Sequence, residues 1–194
     1  MQWSTCRKFI LGTPKNNTQA QPNRLCSSFA AMRRLWIVRH AKAEPAPPGT
    51  ADNLRVLSPK GRADAARAGA VLAPHFPEAT AVSAAARTVE TAELLAQAAG
   101  ISVERLDVRS EGYLADAHTW WDWIRTFDDA HTSGLVVGHN PGVSYLVELL
   151  TGVRFELPTC GLVEVELPDR PWHEIGAHVG KVRFVWTPAS AHHG

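Results

Sequence analysis

Residues 35–44 read "LWIVRHAKAE", four consecutive apolar residues that end in Arg39 and His40 and turn polar within a few positions. An apolar run of this length, rich in branched side chains and without polar alternation, marks a strand buried on both faces. Such strands belong to parallel sheets sandwiched between helices, so a charged and titratable pair at the end of this one stands where such a sheet opens to ligands.

The rest of the chain repeats that theme. Ser58 and Pro59 predict an N-cap and first turn for a helix that places Ala65, Ala68 and Leu72 on one face. "ATAVS" (79–83) predicts a second strand, followed by a helix from about 85 to Gly100. "VERLDV" (103–108) predicts a third strand and "AHTWWDWIRTF" (117–127) a third helix. "GLVVG" (134–138) predicts a fourth strand, with Asn140 and Pro141 capping a helix to about Leu150, and "LVEVEL" and "VRFVW" supply two last strands. The alternation predicts an α/β fold, a three-layer sandwich with a mainly parallel sheet.

With 194 residues and 45% hydrophobic content, the chain is sized for one domain with a substantial core. Residues 1–33 hold five basic side chains and no acid, which leaves fifteen bases against nineteen acids downstream, a net of −4. A weakly acidic domain lacks the basic footprint of a nucleic-acid binder. No apolar run reaches the length of a membrane span. Three cysteines without CxxC spacing argue for neither a disulfide framework nor a zinc site, and a reducing, cytoplasmic location is expected. Met32 stands directly before the first strand. The expected organisation is therefore a disordered extension over 1–31, a domain over 32–188 and a tail over 189–194. The basic, acid-free leader also has the composition of a transit peptide, though without clear amphipathic periodicity.

Strand ends in such a sheet share one edge, which brings together residues far apart in sequence. Arg39 and His40 follow the first strand, Arg87 opens the helix after the second, and His139 follows the fourth. Two guanidinium groups suit a phosphoryl group, whose three acceptor oxygens match the planar fork of arginine. His40 is the candidate nucleophile, because neutral imidazole attacks phosphorus and its ordinary pKa near 6.5 leaves much of it unprotonated near neutrality. Its other nitrogen then needs an acceptor, such as a backbone carbonyl.

"VRHAKAE", "SAAARTVETAELL" and "VVGHNPG", in that order and spacing, resemble the histidine phosphatase superfamily, and most closely its compact SixA-type phosphohistidine phosphatase branch. The resemblance covers about residues 33–188 and implies a phosphoglycerate mutase-like fold. It also implies phosphoryl transfer through a phosphohistidine on His40, with Arg39, Arg87 and His139 completing the site and no metal or organic cofactor. Asp52 and Arg55 in "ADNLRVLSPKGR" match the branch's Asp-x-x-Arg element and are candidate substrate contacts, or else a local salt bridge. The expected partner is a phosphorylated protein carrying phosphohistidine. The alternatives are a phosphatase of small phosphorylated metabolites and a catalytically silent phosphate-recognition domain.

Two departures from the family pattern stand out. Ala41 occupies a position that is often glycine, a change of one methyl that the pocket is expected to survive. The general acid of larger members has no clean counterpart, leaving Glu111 and Asp116 as candidates and Asp52 as a further acid or water-positioning group. A weak acid suits an imidazole leaving group, which departs more readily than an alkoxide. Ser83 and Thr91 are expected to support Arg87 or cap structure. "HEIGAH" (173–178) has one residue too many for a zinc-binding HExxH pair. Trp120, Trp123, Ile124 and Phe127 are expected in the core, with Trp121 facing elsewhere.

Overall fold

The computed structural model describes residues 32–190. The extension over 1–31, most of the tail, Cys6 and Cys26 lie outside the described residues. The strands are β1 (Arg33–Arg39), β2 (Ala79–Ser83), β3 (Val108–Arg109), β4 (Ser133–Gly138), β5 (Leu162–Leu167) and β6 (Lys181–Trp186). The helices are α1 (Pro59–Leu72), α2 (Ala86–Ala98), α3 (Ala117–Ile124) and α4 (Gly142–Thr151). One six-stranded sheet runs in the order β3-β2-β4-β1-β5-β6. The first four strands pair in parallel, β5 adds antiparallel to β1 and β6 antiparallel to β5, so the sheet is mixed with β5 alone running against the other five.

Burial of β1 on both faces follows from its sequence. Leu35 and Ile37 join Trp120, Ile124, Val143 and Leu146 in the core under α3 and α4. Trp36 and Val38 join Ala65, Ala68, Leu72, Ala92 and Leu95 under α1 and α2. Burying each such side chain stabilises the fold by about 1.5–3 kcal/mol, so the unbroken apolar run anchors both layers.

Helix starts follow their caps. Ser58 Oγ accepts from Gly61 N at 3.0 Å ahead of Pro59, opening α1. Asp116 accepts from Thr119 N at 2.8 Å, opening α3. Asn140 departs from its expected capping role. Its side chain donates to Leu157 O at 2.9 Å and accepts from Ser144 Oγ at 2.8 Å, tying the start of α4 to the 153–161 loop.

The third strand is much shorter than the alternation in 103–108 suggested. Ser102 accepts from Glu104 N and folds Val103–Arg105 into a 3-10 turn, which leaves two residues to pair at the edge of the sheet. The third helix stops at Ile124, where Thr126 donates to the Trp123 carbonyl, and Phe127 packs edge-on against Trp172. Trp121 is not a free surface group. It packs partly buried against the α3–α4 core and donates to Ile175 O at 3.0 Å.

Candidate active site

β2, β4 and β1 are adjacent parallel strands, so their carboxyl ends place Ser83, His139 and His40 side by side. The rings of His40 and His139 lie 5.1 Å apart, centroid to centroid, although the residues are separated by about a hundred positions. His40 N continues the β1–β4 pairing by donating to Gly138 O at 3.0 Å, and Cys160 N is shared between the carbonyls of Arg39 and His40. The backbone under the histidine is thus held from two sides.

His40 Nδ1 lies 2.8 Å from the Ala41 carbonyl. A carbonyl can only accept, so Nδ1 carries the proton and Nε2 keeps its lone pair. Ala41 is fully buried and its own N–H donates to Thr91 Oγ1 at 3.0 Å, while Thr91 donates to Arg87 O. Burial lowers the pKa of His40 to about 4, opposed by the Ala41 carbonyl and assisted by the charges of Arg87, Arg39 and Arg55. The ring is neutral above that range.

The two arginines are held differently. Arg39 donates to Leu157 O at 3.0 Å and leaves its Nε buried without a partner. Arg87 is buried, with NH1 on the Asp52 carbonyl at 2.6 Å and NH2 on Asp52 Oδ2 at 2.9 Å. Arg55 binds the other oxygen of the same carboxylate at 3.0 Å and the Glu44 carbonyl at 2.8 Å. Tyr113 donates its hydroxyl to Asp52 Oδ2 at 2.9 Å and sets its ring edge-on to His139 at 5.6 Å. Hydrogen bonds from Arg55, Tyr113 and Arg87 lower the Asp52 pKa to about 2. Asp52 therefore sits in the cluster as an ionised acceptor that organises two arginines.

His139 is nearly fully buried, and its Nε2 lies 2.9 Å from Ser83 Oγ. Burial first, then the neighbouring His40 and Arg87, lower its pKa to about 3. The two candidate acids of the 110–116 segment are placed elsewhere. Asp116 caps α3, and that hydrogen bond lowers its pKa. Glu111 is exposed and receives a hydrogen bond from Ser110 Oγ, with neither histidine among its partners. Tyr113 was missed by the sequence reading. Its only signal was membership in the stretch scanned for an acid.

Two buried polar atoms in the cluster, Arg39 Nε and His139 Nδ1, have no partner among the described residues. Buried donors are ordinarily paired, so each is an open hydrogen-bonding position in the cluster that an oxyanion could fill. With a neutral imidazole offering Nε2, the arrangement is equipped to bind a phosphoryl group and accept it. Among the described residues, no group of three or more His, Cys, Asp or Glu side chains is placed to hold a metal ion, and no helix is long and apolar enough to cross a membrane.

Comparison with known proteins places these residues in context. Residues 35–112 match the model of the histidine phosphatase superfamily, branch 1. An uncharacterized chloroplastic protein of Arabidopsis thaliana is 27% identical over 197 residues, covering 89% of this chain and 88% of that one. The structure of SixA from Agrobacterium tumefaciens, described as a phosphohistidine phosphatase, superposes with a TM-score of 0.69 at 26% identity over 80% of this chain and 98% of that one. The protein histidine phosphatase SixA complexed with tungstate gives a TM-score of 0.70 at 20% identity, over 81% of this chain and 99% of that one. A mycobacterial glucosyl-3-phosphoglycerate phosphatase shares the fold at 14% identity and a TM-score of 0.59, over 80% and 98% of the two chains.

Proposed function

We propose that the chain is a phosphatase of the histidine phosphatase superfamily, of its SixA type, and that it removes phosphoryl groups from phosphohistidine on a protein, through a phosphohistidine formed on its own His40. His40 Nε2 attacks phosphorus in line, the N–P bond of the substrate breaks, and the substrate imidazole departs. Water then attacks the phosphoryl group on His40, releasing phosphate and restoring the neutral ring. Arg39, Arg87 and His139 bind the phosphoryl oxygens and stabilise charge in both transition states. Arg55 and Asp52 hold Arg87 and its surroundings in place.

The observation that carries the choice of substrate is the commitment of the carboxylates. Asp52 is ionised between two arginines, Asp116 caps a helix, and Glu111 bonds its neighbour. An alkoxide leaving group needs a proton donor in the site, whereas a phosphoimidazole takes a proton from solvent on the nitrogen remote from phosphorus before reaction, its basicity being that of an imidazole, and then departs as the neutral ring. The likeness to SixA of Agrobacterium tumefaciens supports the same reading.

The test is phosphate release from a phosphohistidine-bearing protein and from a phosphoserine peptide, by the wild type and by His40→Ala. The expected result is rapid, His40-dependent release from phosphohistidine and slow release from phosphoserine. A clear preference for the phosphoserine peptide would overturn the substrate assignment.

A further inference from the structure

Ser83 closes β2 and is fully buried, with its hydroxyl 2.9 Å from His139 Nε2. The sequence suggested support for Arg87 or a capping role; the structure sets the side chain against the histidine. Its hydroxyl oxygen also receives the Ala85 N–H at 3.5 Å, and among the described residues no carbonyl or carboxylate accepts from it. The hydroxyl hydrogen therefore has one acceptor within reach, the Nε2 lone pair of His139. A neutral imidazole that accepts at Nε2 carries its proton on Nδ1. That nitrogen is the buried one without a protein partner.

We propose that Ser83 is a positioning residue that fixes His139 as the neutral Nδ1–H tautomer, so that Nδ1–H donates to a phosphoryl oxygen. The identity of that acceptor rests on the phosphatase reading above, whereas the tautomer does not. An imidazolium at this position would have to donate from Nε2 to Ser83 and would strand the hydroxyl hydrogen in a buried site, a cost comparable to losing a buried hydrogen bond. Burial and the surrounding arginines act in the same direction. The pocket thus keeps a neutral hydrogen-bond donor beside its cationic groups, which stabilises a bound dianion without adding another charge that would oppose phosphate release.

Two measurements on the full chain test the assignment. Long-range 1H–15N correlation spectra of histidine-labelled protein, with signals assigned through His139→Gln, should show a protonated Nδ1 and an unprotonated Nε2 for His139 at neutral pH. Adding inorganic phosphate should shift the Nδ1–H resonance. An Nε2–H tautomer or an imidazolium in the wild type would overturn the proposal whether or not Ser83 variants fold. In kinetics, Ser83→Ala should lower kcat/KM by about 10- to 100-fold, the range typical for groups that orient a reacting residue. In a His139→Ala background the same substitution should cost less than about twofold, because the two act as one unit. Effects that multiply independently would refute action through His139. Absence of phosphatase turnover in the wild type would count against the proposed function while leaving the spectroscopic result to decide this one.

Discussion

Asp52→Asn separates the charge of the Asp52 carboxylate from its hydrogen bonding. Arg87 is gripped twice by this residue, once by its carbonyl at 2.6 Å and once by Oδ2 at 2.9 Å. Asparagine retains the carbonyl contact and one side-chain oxygen for Arg87 and Tyr113, so that guanidinium stays in place, while the amide nitrogen replaces the oxygen that binds Arg55. What is lost is a negative charge on one edge of a guanidinium that the proposed function assigns to the phosphoryl group, taken as roughly 6 Å from a bound anion. At effective dielectrics of 20 to 80 that repulsion is about 0.7–3 kcal/mol, and the carboxylate is 48% exposed, which places it toward the lower end. About 1 kcal/mol corresponds to about fivefold in affinity. Competitive inhibition by inorganic phosphate should therefore tighten about fivefold in Asp52→Asn, with kcat changed less than about threefold. Asp52→Ala keeps the carbonyl contact but removes the side-chain acceptors of Arg87, Arg55 and Tyr113, and should lower kcat by on the order of tenfold because a mispositioned donor loses most of its effect. Weaker phosphate inhibition in Asp52→Asn would refute the reasoning, since it would mean that the carboxylate assists anion binding.

The depressed histidines give stability a defined pH dependence. His40 and His139 have folded pKa values of about 4 and about 3 against about 6.5 in the unfolded chain, so between those limits the unfolded state binds more protons. Stability should fall as pH drops from 7 to 5, by about 2 kcal/mol for each histidine, and urea unfolding of His139→Gln should show about half the pH-dependent loss that both histidines cause together. An unchanged slope in that variant would contradict the assignment. Thr91→Val removes the acceptor of the buried Ala41 N–H and should destabilise the fold by about 1–3 kcal/mol while lowering kcat, because Ala41 also holds His40 Nδ1. A variant with wild-type urea midpoint and kcat would disprove that linkage. Glu111→Gln and Asp116→Asn should leave release from phosphohistidine within about twofold of wild type, and a tenfold loss in either would identify a general acid.

What the sequence made legible was decided by local pattern. The unbroken apolar run of β1 required helices on both faces, and both cores use it. Strand ends in a parallel sheet converge by topology, so Arg39, His40 and His139 were placed together from their positions alone, and Arg87 from the first turn of α2. The remainder depended on contacts that no local pattern encodes. Asp52 meets Tyr113 across 61 positions and Arg87 across 35, and Ser83 meets His139 across 56. Alternating apolar and charged residues in 103–108 resembled a strand, but Ser102 offered the backbone a competing hydrogen bond. Asn140 stood in a capping position and was taken instead by the Leu157 carbonyl and Ser144.

The central claim is that His40 carries the phosphoryl group, and on Nε2, because Nδ1 is occupied by the Ala41 carbonyl. The direct test is rapid mixing of the enzyme with a phosphohistidine-bearing protein, quenching in alkali, and locating the phosphoryl group by mass spectrometry and 31P NMR. An acid-labile phosphoryl group on His40 Nε2, absent together with turnover in His40→Ala, is the predicted result. Phosphorylation of His139 instead, or phosphate release that persists in His40→Ala, would contradict it.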